Sequence, residues 1–141
     1  MDELSWAETV RQVYKRADSR CEYCQTDQRS IGQSMHIEHI YPDGGDSLDN
    51  LCLACPNCNL SKAQTTVAID PESKQTVILF NPRQQLWIDH FEWSHEGAVL
   101  QGKTAIGRAT IARLKINRPR MIHARSIWIR AGEHPPKTTD N

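Results

Sequence analysis

The sequence predicts an α+β fold in which short strands and helices gather around two cysteine pairs rather than around one large apolar core. Three observations lead there. Cys21-x-x-Cys24 and Cys55-x-x-Cys58 have the spacing of metal-binding knuckles. Residues 3–17 place apolar side chains at near-helical intervals, and the stretch from Thr76 to Gln101 sets short β-rich runs between turn residues. With 141 residues, 38% of them hydrophobic, the chain is sized for one unit with a modest core.

Taken in order, Leu4, Ala7, Val10, Val13 and Tyr14 define one face of an N-terminal helix, with Lys15 and Arg16 at the end where the helix dipole favours cations. The alternating stretch Met35–Ile40 reads as a strand running into the turn-rich loop Pro42-Asp43-Gly44-Gly45-Asp46. Pro56 suits the first position of a helix, whose amide has no helical partner, so a helix is expected from Pro56 into Ala63. Thr76–Phe80, Trp87–Trp93 and Ala98–Gln101 read as strands. Thr104 then caps a helix through about Ile116, and Arg118–Ala131 forms another, with Ile106, Ala109, Leu114, Met121, Ile122, Ile127 and Trp128 on the core side. Trp87, Trp93 and Trp128 read as core anchors. The expected organisation is a cysteine-framed unit over residues 1–66, a strand and helix extension over 67–136 packed on it, and a flexible tail over 137–141.

Lys plus Arg equals Asp plus Glu at 17 each, but the balance is uneven along the chain. From Gln101 to Gly132 there are eight basic residues and no acidic one, whereas the first 66 residues carry six basic against ten acidic. No leader-like start and no membrane-length apolar run is present, so a soluble, cytoplasmic protein is expected. In such a compartment, paired cysteines favour metal over disulfides. Four thiolates make a closed tetrahedral site for structural zinc, with no position left for water or substrate. Cys52, in the apolar Leu51-Cys52-Leu53, reads as a small buried hydrophobe.

Between the knuckles lie His36-Ile37-Glu38-His39-Ile40-Tyr41-Pro42, Gly44-Gly45 and Asp49-Asn50-Leu51, and then Cys55-Pro56-Asn57-Cys58-Asn59 with Lys62 after it. Hydrolysing a phosphodiester needs a base for water, a cation for the charge growing on phosphate and leaving oxygen, and a rigid frame for both. His39 is suited to be the base, because imidazole titrates near neutral pH. Glu38 and Asn59 offer oxygen ligands for a hard cation such as Mg²⁺ or Mn²⁺. Neighbours on an ideal strand point to opposite faces, so Glu38 and His39 should not face one phosphate unless the strand twists or ends there, or His36 takes a role. Lys62 is three residues from Asn59 on the same helix side, where it meets either a phosphate or solvent. Asp43, Asp46 and Asp49 read as loop and turn residues.

In this order and inside this frame, these residues resemble the HNH (ββα-metal) endonucleases. The resemblance implies a zinc-stabilised, treble-clef-like ββα core, with His39 as the catalytic histidine, Asn50 bracing its loop, and Asn59 at the final metal-ligand position. Asn59 replaces the third histidine of the name, which bears on metal preference. Phe80-Asn81-Pro82-Arg83, Ile106-Gly107-Arg108-Ala109-Thr110 and Gly132-Glu133-His134-Pro135-Pro136 are similar to the tails of compact stand-alone bacterial, particularly cyanobacterial, HNH proteins.

The expected activity is metal-dependent hydrolysis of DNA, nicking one strand per active site and leaving a 5′-phosphate and a 3′-hydroxyl, by a monomer or weak dimer; RNA is the other candidate substrate. The competing reading is an inactive zinc-stabilised DNA-binding or adaptor module. Arg108, Arg113, Lys115, Arg118, Arg120 and Arg125, with Lys62, are the candidate phosphate contacts.

Overall fold

The computed structural model describes residues 4–137, so the expected flexible tail lies outside the described residues except for Lys137. Helix α1 (Trp6–Ala17) begins where the Ser5 hydroxyl accepts from the Glu8 amide at 3.1 Å and ends where Asp18 turns left-handed at φ 52°. It buries Thr9 and Val13. After the first knuckle come a short helix, α2 (Gln28–Ile31), and an antiparallel hairpin of β1 (His36–His39) and β2 (Leu51–Ala54), with Glu38 opposite Cys52 and His39 opposite Leu51. Helix α3 (Pro56–Lys62) completes a ββα unit.

Strand β2 is absent from the sequence reading for a physical reason. Leu51, Cys52, Leu53 and Ala54 are all buried, and the strand touches both α1 and α3, so it carries no alternation.

The extension adds a hairpin of β3 (Val67–Ile69) and β4 (Thr76–Ile78), a one-turn helix α4 (Trp87–His90), a hairpin of β5 (Phe91–Trp93) and β6 (Leu100–Gly102), then α5 (Ala105–Leu114) and α6 (Pro119–Arg130). The two helices agree with expectation, and Thr104 caps α5 by accepting from the Gly107 amide at 3.1 Å. Helix α5 packs on α3, β3, β4 and β6, joining the extension to the ββα unit. Gly107 lets α5 approach the end of α4 and β6: a Cβ there would lie 2.1 Å from the His90 carbonyl oxygen.

Two expected strands are corrected. Trp87–Trp93 splits into α4 and β5, because the Trp87 indole donates to the Tyr23 carbonyl at 2.9 Å and stacks on Phe91 and Trp93 while Leu86 and Ile88 face solvent. Thr76–Phe80 is strand only to Ile78: the Leu79 amide makes one further bond to the Thr66 carbonyl at 3.0 Å, and Leu79 and Phe80 then turn into the core, where the Phe80 amide bonds the Thr110 hydroxyl at 2.9 Å.

Helix α6 is also inverted in part: Ile127 is exposed and Arg125 is buried. The Arg125 guanidinium donates to the carbonyls of Ala98 at 3.0 Å and Ile116 at 2.6 Å and to Asn117 Oδ1 at 3.2 Å, and lies 5.3 Å from the Trp93 ring. It clamps α6 to the β5–β6 hairpin and is not free to meet a phosphate. Among the described residues no helix is long and apolar enough to cross a membrane.

His134 is buried beside this clamp, its Nε2 2.9 Å from the Gly97 carbonyl and its ring edge-on to Trp93. Burial holds it down at about 4. A histidine depressed below its unfolded value stabilises the fold above about pH 6.5, and that contribution is lost as pH falls toward 4. Thermal melts from pH 7.5 to 4.5 should therefore show His134→Gln losing less stability over this range than the parent, by on the order of 2 kcal/mol. Parallel curves for the two proteins would place no such role on His134.

Candidate active site and its cysteine frame

The sulfurs of Cys21, Cys24, Cys55 and Cys58 all lie within 4.8 Å of one another, and all four residues are buried. A tetrahedron with metal–sulfur bonds of about 2.3 Å has edges of about 3.8 Å; Cys24 Sγ and Cys55 Sγ are 3.7 Å apart. Each knuckle also points an amide at its first sulfur, Cys24 N to Cys21 at 3.5 Å and Cys58 N to Cys55 at 3.4 Å. Burial pushes the Cys21 thiol up, while hydrogen bonds from Cys21, Cys55 and Cys58 hold Cys24 well below the usual thiol range. Donor set, size and closure fit structural zinc. Cys52 stands apart, its thiol pushed up to about 12 by burial.

The frame reaches the site through covalent neighbours. Cys55 is the N-cap of α3, so the knuckle that would hold zinc also starts the helix that carries Asn59. Glu22, inside the first knuckle, accepts from the Leu53 amide of β2 at 2.8 Å and pairs with Arg83 of the extension.

A cleft of about 250 Å³ opens at the end of β1, lined by Ile37, Glu38, His39, Pro42, Asn59, Ala63 and Gln64. Glu38, His39 and Asn59 thus share one cavity, and the conflict expected from ideal strand alternation is resolved because His39 is the last residue of β1. His36 is exposed at the other end of the strand and does not line it.

His39 Nε2 lies 2.7 Å from Asp46 Oδ1. The sequence reading sets Asp46 aside as a turn residue, since a carboxylate seven positions along a glycine-bearing loop carries no local signal of a partner. With Asp46 accepting, Nε2 holds the ring proton and Nδ1 is left as the acceptor.

Asn50 braces the loop between them. Its Oδ1 accepts from the Tyr41 amide at 3.0 Å, and its Nδ2 donates to the carbonyls of Tyr41 and Gly45, each at 2.9 Å. The loop closes directly over this side chain: a Cβ on Gly44 would fall 2.6 Å from Asn50 Nδ2.

Lys62 is turned inward. It is 1% exposed, and its Nζ donates to Glu38 Oε1 at 2.9 Å and to the carbonyls of Ile40 at 3.2 Å and His39 at 3.4 Å. The ammonium ties the end of α3 to the backbone on both sides of the β1 terminus, and its expected contact with phosphate gives way to this role. Lys62→Met should cost about 3–5 kcal/mol, because it strands a buried carboxylate, while Glu38→Gln with Lys62→Met should recover much of that loss. Urea unfolding of the parent and the two variants checks this; Lys62→Met as stable as the parent would contradict the buried pair.

The C-terminal arginines divide the same way. Arg108 grips the buried Asp70 through Nε at 3.0 Å and Nη2 at 2.9 Å, and its guanidinium holds that carboxyl well below the usual range. With Arg125 it serves the fold. Arg113, Lys115 and Arg120 are exposed and Arg118 is half-buried.

Residues 21–65 match the family model described as HNH endonuclease. No curated protein and no solved structure matches the chain. The matched segment spans the four-cysteine frame, the β1–β2 hairpin, its braced loop and α3, and in these residues the chain is similar to an HNH endonuclease domain.

Proposed function

We propose that the protein is a metal-dependent endonuclease that hydrolyses phosphodiester bonds in DNA, cutting one strand per visit. The observation that carries this reading is that His39, whose Nε2 lies 2.7 Å from Asp46 Oδ1, lines one cleft with Glu38 and Asn59. A zinc module that only bound DNA or joined an assembly would have no use for an imidazole oriented in a cavity beside oxygen donors.

The donors present suit a hard cation. The Asn59 side chain has no hydrogen-bond partner among the described residues, and one Glu38 oxygen accepts from Lys62 while its other is available. Bound there, Mg²⁺ or Mn²⁺ would supply charge neutralisation at the phosphate and leaving oxygen. The chain's own residues do the rest. Asp46 fixes the His39 tautomer, Nδ1 takes a proton from water, and the water oxygen bonds to phosphorus as the P–O3′ bond breaks. The bond's electron pair leaves with O3′, which takes a proton from solvent, giving a 5′-phosphate and a 3′-hydroxyl. Lys62 and Asn50 keep the histidine's backbone and loop in place. One candidate site per chain, among the described residues, argues for nicking by a monomer or weak dimer.

Incubating supercoiled plasmid with the purified protein tests the reading. Nicked circles should form with Mg²⁺ or Mn²⁺ and not with chelator; intact plasmid in every metal would overturn it. Asp46→Asn should slow single-turnover cleavage by about tenfold, without weakening DNA binding. A larger loss is not expected, because the Asp46 side chain is 73% exposed and water can partly replace it. Unchanged cleavage would show that Asp46 does not orient His39.

A further inference from the structure

We infer that Arg113, Lys115, Arg118 and Arg120 form a ledge that holds the backbone of duplex DNA beside the cleft. This rests on the nuclease reading above and assigns its substrate-gripping surface. The ledge is the C-terminal end of α5, the connection after it and the start of α6. Two of its guanidiniums are fixed against the catalytic helix and its exit: Arg118 Nη2 donates to Ser61 Oγ at 3.0 Å, and Arg113 Nη2 to Thr65 Oγ1 at 2.8 Å. Ser61 and Thr65 bracket Ala63 and Gln64, which line the cleft. The cations are therefore tied to the helix and exit segment that supply Asn59, Ala63 and Gln64 to the cleft, each with further N–H groups free to donate.

Their charge has no counterpart in the protein. Among the described residues none of the four pairs with a carboxylate, unlike Arg108, whose charge is met by Asp70 and Glu72. The loop that follows Pro42 at the cleft, carrying Asp43, Asp46 and Asp49, is exposed, acidic and without cations. A polyanion entering the cleft is thus drawn to the α5–α6 side and held off the loop, which sets the side from which the duplex approaches.

The chemistry of the ledge favours a duplex over a single strand. Single-strand sites stack bases on aromatic rings, whereas this surface offers guanidinium, ammonium and hydroxyl groups alone. Those groups read phosphates and leave bases paired.

Salt titrations on one duplex, with every variant built on His39→Ala to prevent cutting, test the assignment. Arg113→Gln and Arg118→Gln should each lower the slope of log affinity against log salt by about 0.9, and the double variant by about 1.8. Arg118→Lys should keep the slope, since the charge stays while the fork is lost. Arg130→Gln, at the far end of α6, should alter neither the slope nor, in the otherwise wild-type protein, cleavage.

Unchanged slopes for Arg113→Gln and Arg118→Gln would overturn the ledge, as would an equal loss from Arg130→Gln. A single strand or an RNA duplex bound more tightly than duplex DNA, with the same dependence on Arg113 and Arg118, would overturn duplex DNA as the occupant. Expected slopes without cleavage by the wild type would sink the nuclease reading and leave the ledge standing.

Discussion

Replacing Cys58 by serine, or stripping the protein with a strong chelator, is expected to unfold residues 21–65 and remove every activity that depends on them. The four sulfurs lie within the buried core, and the segment they enclose includes an exposed polar loop from Tyr41 to Ser47 that buries little of its own. Metal ligation in such sites is worth on the order of 10 kcal/mol, comparable to the whole stability of a small domain. No surface change can offset that. One zinc per chain should be found by elemental analysis, and melting should become cooperative again when zinc is restored. Cys52→Ala is the matched control, since Cys52 is buried outside the cluster and should leave zinc content unchanged. A folded, zinc-free protein would remove the structural assignment.

The cysteine frame and the candidate site are legible because their signals are local: two knuckle spacings, a proline at a helix start, a Gly-Gly turn. What escaped is set by distance. Strand β2 lies between two helices, so its four apolar residues carry no periodicity to read. Asp46 becomes visible as the partner of His39 only when the loop closes, and Asn50 with Gly44 determines that closure. Lys62, Arg108 and Arg125 look like any other cations in sequence, yet each is held by partners many positions away: Glu38, Asp70, and the carbonyls of Ala98 and Ile116. Sequence gives the sign of a charge and not its burial. Trp87 was misread as a strand residue for a related reason, since its alternation with Phe91 and Trp93 was consistent with a strand, and the docking of its indole on Tyr23 decided otherwise.

The second large effect is expected at His39. Alanine there removes the proposed base, the group that Asp46 meets, but it leaves the cysteine frame, the Lys62–Glu38 tie and the α5–α6 ledge untouched. General-base catalysis contributes about 10²–10⁴-fold, so cleavage should fall by about a thousandfold while DNA affinity changes little. Binding and chemistry separate because the base acts on water in the transition state and adds little to ground-state grip. His36→Ala, altering a residue outside the cleft, should cut at the parent rate. The decisive measurement is single-turnover cleavage of one duplex in Mg²⁺ by the parent and His39→Ala, each shown to carry one zinc and to bind that duplex equally. A thousandfold slower reaction in the variant is the result expected here; cleavage at the parent rate would contradict the site built around His39.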